Sequence, residues 1–241
     1  MTASDESGPQ ARKLRENLAQ VHERIAAASA KSGRAAGGVE LVGVTKYVDA
    51  ALARLLLEAG LTHVGESRPQ ELWSKAAALA DCSPTWHLIG HLQRNKVRQT
   101  VQLRAVIHSA DSLRLLEEIN REATSFRVPA DVLLEVNISG DSTKHGFKPD
   151  EVEPLLPQIA ALPSLQVLGL MTMASREGDL DRARREFAAL RDLRDRLKVN
   201  CPPAILLNEL SMGMSGDYEV AIEEGATIVR VGNALFEGVT R

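Results

Sequence analysis

Two hydrophobic periods alternate along the chain, one typical of helices and one typical of β-strands. Over residues 9–32 apolar side chains recur at every third or fourth position, which predicts an amphipathic helix. These side chains are Leu14, Leu18, Val21, Ile25 and Ala28. Gly33 and the pair Gly37 and Gly38 predict the end of this helix. Beyond residue 40, short β-rich runs alternate with longer helical patterns.

Eight strands are predicted in that part, at residues 41–45, 62–65, 86–89, 105–109, 132–137, 167–171, 204–210 and 227–231. Helical patterns lie between them at residues 50–60, 69–79, 112–122, 150–162, 180–198 and 218–224. Strands that alternate with helices pair in parallel through right-handed crossovers. We therefore expect an α/β fold, a single (β/α)8 TIM-type barrel with an extra N-terminal helix. A doubly wound sheet would give a similar pattern, but no GxGxxG fingerprint follows the first strand.

The composition is that of an ordinary globular protein. The chain has 241 residues, 44% of them hydrophobic and 25% charged, with a net charge of -3. We expect a disordered tail at residues 1–8 and one barrel domain over residues 9–241. The charge indicates no nucleic-acid partner and no anionic membrane surface. No signal peptide or membrane span is evident, so we expect a cytoplasmic protein, and a monomer because one barrel can bury its own core.

Metal and disulfide chemistry have little support in the sequence. Cys82 and Cys201 stand far apart and in no ligand spacing, so both are expected to be free thiols. His87 and His91 are four residues apart, which would suit zinc on a helix, but the first of them falls in a predicted strand. We therefore predict no metal site.

Lys46 follows the first predicted strand directly, at the end of the barrel where enzymes of this fold keep their reactive groups. A partly desolvated lysine loses some of its preference for charge, so its pKa falls and its neutral amine can attack an aldehyde to form an imine. The alternative is a lysine whose amine merely reaches solvent at a strand end.

The last predicted strand turns through Gly232 and Asn233 into a short helix. Barrels commonly bind phosphate here with backbone N–H groups, and the loop after the seventh strand contributes as well. That loop offers Ser211 and Ser215, with Ser215 or Asp217 placed to cap the next helix. Because the eighth strand pairs with the first in a closed barrel, we expect this loop beside Lys46. An imine-forming lysine next to a phosphate site suits a phosphorylated aldehyde, although a plain capping loop would have the same composition.

Five stretches of the chain resemble the pyridoxal-phosphate homeostasis proteins. They are GVTK at 43–46, WHLIGHLQRNK at 86–96, LGLM at 168–171, LSMGMS at 210–215 and VRVG at 229–232. The resemblance implies a fold-type III barrel similar to the N-terminal domain of alanine racemase, with pyridoxal 5'-phosphate held as a Schiff base on Lys46. It also implies a protein of vitamin B6 homeostasis that carries or buffers the cofactor without efficient catalysis. Pyridoxal-phosphate-dependent apoenzymes are then a further class of partner.

The resemblance assigns roles to individual residues as well. Arg230 would face the pyridine nitrogen, Gly232 and Asn233 would offer backbone N–H groups to the phosphate, and Ser215 and Ser211 would add hydroxyls. Two positions stand apart from this set. Ser67 occurs where the family usually has asparagine, and Lys144 matches a family lysine that is either a second, transient imine site or, as we favour, a solvated loop lysine.

Two other functions share these features. An amino-acid racemase would need a second base opposite Lys46, supplied in that class by a tyrosine of an additional β-domain, and the chain ends at Arg241, soon after Gly232. Tyr47 is expected to point away from Lys46 along the strand, and Tyr218 to start a helix. A lysine-dependent aldolase would need a proton relay beside the lysine. We therefore predict a cofactor carrier with no catalytic residue.

Overall fold

The computed structural model describes residues 8–35, 37–175 and 179–239, and within them eight parallel strands close into a barrel in sequence order. The strands are β1 (Glu40–Val44), β2 (His63–Glu66), β3 (Thr85–Leu88), β4 (Val106–Ala110), β5 (Ala130–Glu135), β6 (Leu165–Met171), β7 (Ile205–Ser211) and β8 (Ile228–Val231). The barrel closes where β8 pairs with β1, with Gly43 opposite Val231. The predicted fold class is confirmed.

Helices surround the barrel in alternation with the strands. They are α1 (Pro9–Lys31), α2 (Ala50–Glu58), α3 (Pro69–Ala78), α4 (Val97–Gln102), α5 (Leu113–Phe126), α6 (Pro149–Ala160), α7 (Leu180–Val199) and α8 (Tyr218–Glu223), with 3-10 helices at Arg94–Lys96 and Asn233–Phe236. Among these, α4 was not predicted. It spans six residues and buries only Val97, Thr100 and Val101, too few for a helical period to show.

The barrel interior has an apolar layer and a polar chain. Val42, Leu133, Met171 and Ile228 pack together inside it. Arg230 pairs in register with Val42, and Ser211 pairs with Ile228, so both polar side chains share the interior face. The larger core lies between the outer face of the sheet and the helices.

Hydrogen bonds join the additional helix α1 to the residues that follow β8. The Asn17 amide, which is buried, donates to the carbonyl oxygens of Leu235 at 3.0 Å and Glu237 at 2.8 Å. The guanidinium of Arg34 donates to the carbonyl of Ala226, just before β8. The helix and the turn that follows it therefore hold both ends of the segment that carries Gly232.

Three smaller expectations concern the chain outside the barrel sheet. Cys82 and Cys201 are both free thiols, as predicted. No helix within the described residues is long and apolar enough to cross a membrane. The predicted tail at residues 1–8 lies outside the described residues except for Gly8, which precedes the first residue of α1.

Candidate functional site

Lys46 and the Gly232–Asn233 pair line one cleft at the carboxyl ends of β1 and β8. Lys46 lies in the turn between β1 and α2, and Asp49 ends that turn by accepting a hydrogen bond from the Leu52 N–H at 2.9 Å. The cleft is small, about 20 Å³, which is room for about one water molecule. A larger ligand would therefore displace the exposed side chains at its rim.

Lys46 differs from the sequence prediction in its exposure. Its side chain is exposed rather than partly desolvated, and its Nζ lies 5.0 Å from the centroid of the Tyr47 ring. The expectation that Tyr47 points away from Lys46 is therefore wrong. Strand alternation does not apply to these two residues because both lie in a turn after β1 has ended.

A buried ion pair supports the turn that presents Lys46. On α3, Lys75 donates from Nζ to Oε1 of Glu66 at 2.5 Å and to the carbonyl oxygen of Thr45 at 2.7 Å. The Thr45 hydroxyl donates to the same Glu66 oxygen at 2.6 Å. All three residues are buried. The peptide immediately before Lys46 is thus held by a charged group, an interaction that the sequence analysis missed.

The two groups expected to bind phosphate are in contact with each other. The Gly232 N–H donates to the Ser215 hydroxyl oxygen at 3.1 Å, and Asn233 is exposed at the start of the following 3-10 helix. A β-carbon on Gly232 would lie 3.3 Å from the β-carbon and the carbonyl oxygen of Val44. The glycine therefore allows β8 to approach β1 closely at this point.

The expected side-chain cap on α8 is wrong. Asp217 occupies the N-cap position but makes no side-chain cap hydrogen bond. Its carboxylate instead accepts from the Met214 N–H at 2.6 Å, within the loop. Ser215 accepts from Gly232, so its hydroxyl faces the β8 loop and not the helix.

Arg230 and Ser211 lie deeper, inside the barrel. The Arg230 guanidinium donates to the Ser211 hydroxyl and to the Thr172 carbonyl oxygen, the latter at 2.9 Å. Burial lowers the pKa of Arg230 to about 10, against the opposing effect of the Asp217 and Glu135 carboxylates. Ser211 therefore contacts Arg230 inside the barrel, whereas Ser215 contacts Gly232.

Two buried histidines extend this series of hydrogen-bonded side chains beyond Ser211. The Nδ1 of His108 lies 2.9 Å from the Ser211 hydroxyl, and its Nε2 lies 2.8 Å from Nδ1 of His87. Burial lowers the pKa of His87 to about 3 and that of His108 well below its ordinary value, so both rings are neutral at pH 7. The sequence analysis considered His87 only as a zinc ligand and did not predict this series of hydrogen bonds.

The other residues considered from the sequence lie apart from this arrangement. Lys144, in the loop after β5, donates to the carbonyl oxygen of Met173 at 3.0 Å. Tyr218 is fully buried, with the Arg24 guanidinium carbon 5.2 Å from its ring centroid. Ser67, half-buried, follows β2.

The fold and the site together define a class of protein. It is a (β/α)8 barrel in which an exposed lysine after β1 shares a cleft with a glycine after β8, and the N–H of that glycine donates to a serine hydroxyl. A buried arginine lies on β8, just before this glycine. An amine of this kind can form an imine with an aldehyde, and the N–H and hydroxyl groups can hold an anion.

Comparison with known proteins places the chain within this class. The family model for the alanine racemase N-terminal domain matches residues 12–239. A pyridoxal phosphate homeostasis protein of Aquifex aeolicus is 42% identical over 221 residues, which cover 92% of this chain and 96% of that protein. The chain therefore belongs to the alanine racemase N-terminal domain family and, within it, to the pyridoxal phosphate homeostasis proteins.

Two solved structures share the fold and a substantial part of the sequence. An unknown protein from Bifidobacterium adolescentis superposes with a TM-score of 0.90 at 38% identity, over 97% of this chain and 99% of that one. PipY of Synechococcus elongatus, solved with PLP bound, gives a TM-score of 0.82 at 35% identity, over 92% of this chain and 99% of PipY.

Proposed function

We propose that this protein binds pyridoxal 5'-phosphate through a Schiff base on Lys46 and carries or buffers the cofactor in vitamin B6 homeostasis. The observation that supports the proposal is the cleft that Lys46 shares with Gly232 and Asn233, because the lysine amine and the backbone that we propose for the phosphate line the same cleft. The name of the Aquifex relative and the PLP bound to PipY support it.

The residues present fit the cofactor. The Gly232 N–H now donates to the Ser215 hydroxyl oxygen. With the cofactor bound, both groups would instead donate to the phosphate oxygens, together with the Asn233 N–H. Glycine suits position 232 because a side chain there would press on Val44. A bound cofactor would supply an aldehyde, and the Lys46 amine is the group that would hold it covalently.

Arg230 is the group that we assign to the pyridine nitrogen. Its guanidinium only donates hydrogen bonds and is charged even at the lowered pKa of about 10, so it disfavours a proton on that nitrogen. Ser211 and the Thr172 carbonyl hold two of its nitrogens in place. Ser211 therefore acts through Arg230 and does not touch the phosphate.

We propose further that the protein has no efficient reaction of its own. A racemase needs a base on each face of the substrate α-carbon. Tyr218 is buried away from the cleft, and Tyr47 lies on the same side as Lys46, so neither tyrosine is an opposing base.

Solvent-deuterium exchange tests this second proposal. With PLP-loaded protein and several amino acids, we expect little or no deuterium at the α-position and no change of chirality. An exchange rate near the usual enzyme turnover, about ten per second, would establish a racemase-like enzyme instead.

Variants of two lysines test the carrier proposal. Lys46→Ala should lose the visible absorption of the bound cofactor while retaining weaker, phosphate-dependent binding, because Gly232 and Ser215 are a separate source of affinity. Lys144→Ala is the matched control and should keep both. Equal cofactor affinity of Lys46→Ala and the parent would refute the covalent link.

We also propose that the protein is a cytoplasmic monomer that transfers its cofactor to pyridoxal-phosphate-dependent apoenzymes. The closed barrel, which buries its own core, supports the monomer. Light scattering of the PLP-loaded protein should give the mass of one chain. An apoenzyme mixed with the PLP-loaded protein should gain activity faster than the same apoenzyme mixed with an equal concentration of free PLP.

A further inference from the structure

Three potential metal ligands meet at the end of the barrel opposite Lys46. Glu40 and His63 are the first residues of β1 and β2, and His87 reaches them from the neighbouring strand β3. The three strands are adjacent and parallel, and the three side chains share the interior face. Spacing along the chain gives no hint of this cluster, since each residue comes from a different strand.

The distances between the three ligand atoms suit a tetrahedral ion. Nδ1 of His63 lies 3.0 Å from Nε2 of His87, and Oε1 of Glu40 lies 3.3 Å and 3.7 Å from these two nitrogens. Zinc bonds to nitrogen and carboxylate oxygen are about 2.0–2.1 Å long, which puts tetrahedral ligands about 3.4 Å apart. The three distances bracket that value, so one ion could bind all three atoms without any of them moving far.

Hydrogen bonding alone leaves this cluster incomplete. One proton satisfies the pair formed by His63 and His87, but Oε1 of Glu40 is buried and has no hydrogen-bond partner among the residues that the structure describes. A buried acceptor without a partner is unfavourable, and more so when the group is charged. A cation at the centre of the triangle would satisfy this oxygen and both ring nitrogens together.

The surroundings also suit a cation. A cavity of about 480 Å³ opens to solvent beside Glu40 and His63 and gives an entry path and room for a water ligand in a fourth position. Glu209 lines the same cavity and adds a second carboxylate. On the other side, Nδ1 of His87 lies 2.8 Å from Nε2 of His108, which provides the hydrogen-bond partner that a metal-bound histidine normally has.

We propose that Glu40, His63 and His87 bind a divalent transition-metal ion of the zinc class, with water as the fourth ligand. Two imidazoles and one carboxylate are a donor set that zinc and cobalt accept. Metal on Nε2 of His87 fixes the proton of that ring on Nδ1, where it is donated to His108. His108 then carries its own proton on Nδ1 and donates it to Ser211, below Arg230. The ion thereby sets the direction of the hydrogen bonds along the barrel axis.

Cobalt binding tests the proposal, because four-coordinate Co²⁺ has strong visible d–d bands. The PLP-loaded protein, with Cys82 and Cys201 replaced by serine to remove thiolate ligands, is stripped with a chelator and titrated with Co²⁺ in difference spectra. We expect saturation at one equivalent and displacement by Zn²⁺. Glu40→Gln and His63→Gln should each weaken binding by at least about tenfold. Both side chains are partly exposed, so the variants should fold, and their thermal midpoints check this.

Two histidines provide matched controls. His22 lines the same cavity outside the triangle, and His145 belongs to a separate group with His91 and Asp111. His22→Gln and His145→Gln should keep the cobalt bands. X-ray absorption of the zinc-loaded parent needs no variant and should show two imidazole nitrogens among oxygen and nitrogen ligands. The proposal is overturned by a parent without cobalt bands, by bands that persist in Glu40→Gln and His63→Gln, or by bands that disappear in His145→Gln.

Discussion

Replacing Lys75 with methionine should destabilise the protein and disturb the turn that presents Lys46. The Lys75 ammonium is buried between the Glu66 carboxylate and the Thr45 carbonyl oxygen, at 2.5 Å and 2.7 Å. Methionine has a similar volume but cannot donate, so the Glu66 charge would remain buried without its partner. Breaking a buried ion pair from one side costs about 3–5 kcal/mol. For a domain of this size, each kcal/mol lowers the thermal midpoint by about 2–4 °C, so we expect a fall of about 10 °C.

Thermal denaturation followed by circular dichroism measures this effect, and a cofactor titration measures its consequence for Lys46. The double variant Lys75→Met with Glu66→Gln should recover part of the loss, because the amide carries no charge. Arg54→Met removes an ion pair to Asp81 that is exposed, and should change the midpoint little. A midpoint of Lys75→Met within about 2 °C of the parent would show that the pair does not support the turn.

Two further predictions concern the cleft and the barrel interior. Gly232→Val should weaken PLP binding by more than about tenfold (about 1.4 kcal/mol) while costing about 1–3 kcal/mol of stability, because its side chain would press on Val44 and hold the phosphate away from the N–H groups. Equal PLP affinity, measured by titration, or equal affinity of the parent for pyridoxal without phosphate, would argue against the phosphate site. Burial, reinforced by Asp111, raises the pKa of Glu135 from 4.5 to about 7. The folded protein then holds a proton that the unfolded chain has lost, so this group should reduce stability as pH rises from about 4.5 to 7, by up to about 3 kcal/mol. In denaturant melts across this range, Glu135→Gln should remove that decline, and parallel curves for variant and parent would contradict the assignment.

The strands and the position of Lys46 were predictable because their signals are local. Each strand is a short apolar run, and closure of eight strands brings the chain after β8 beside the chain after β1. The end of α5 was not predictable in the same way. It extends to Phe126 and stops at Arg127, whose φ of 55° is left-handed, where glycine would have been the visible signal.

The interior of the site depended on contacts that no local pattern reveals. Ser211 and Ser215 stand close together in the sequence, but Ser211 ends β7 and Ser215 lies in the loop that follows. Only the register of β7 against β8 puts the first inside the barrel and leaves the second to contact Gly232. The ion pair between Lys75 and Glu66 joins α3 to β2. Buried lysines are so rare that the composition gives no reason to expect this ion pair. The partial desolvation predicted for Lys46 was wrong, because the turn after β1 leaves its side chain exposed.

Borohydride reduction followed by peptide mapping is the most direct test of the central claim. Reduction of the PLP-loaded protein should convert the imine to a stable amine and leave the cofactor mass on the peptide that contains Lys46, with little on the peptide that contains Lys144. The same treatment of Lys46→Ala should leave no equivalent label. Label found mainly on Lys144, or distributed over the surface lysines, would contradict a carrier built around Lys46.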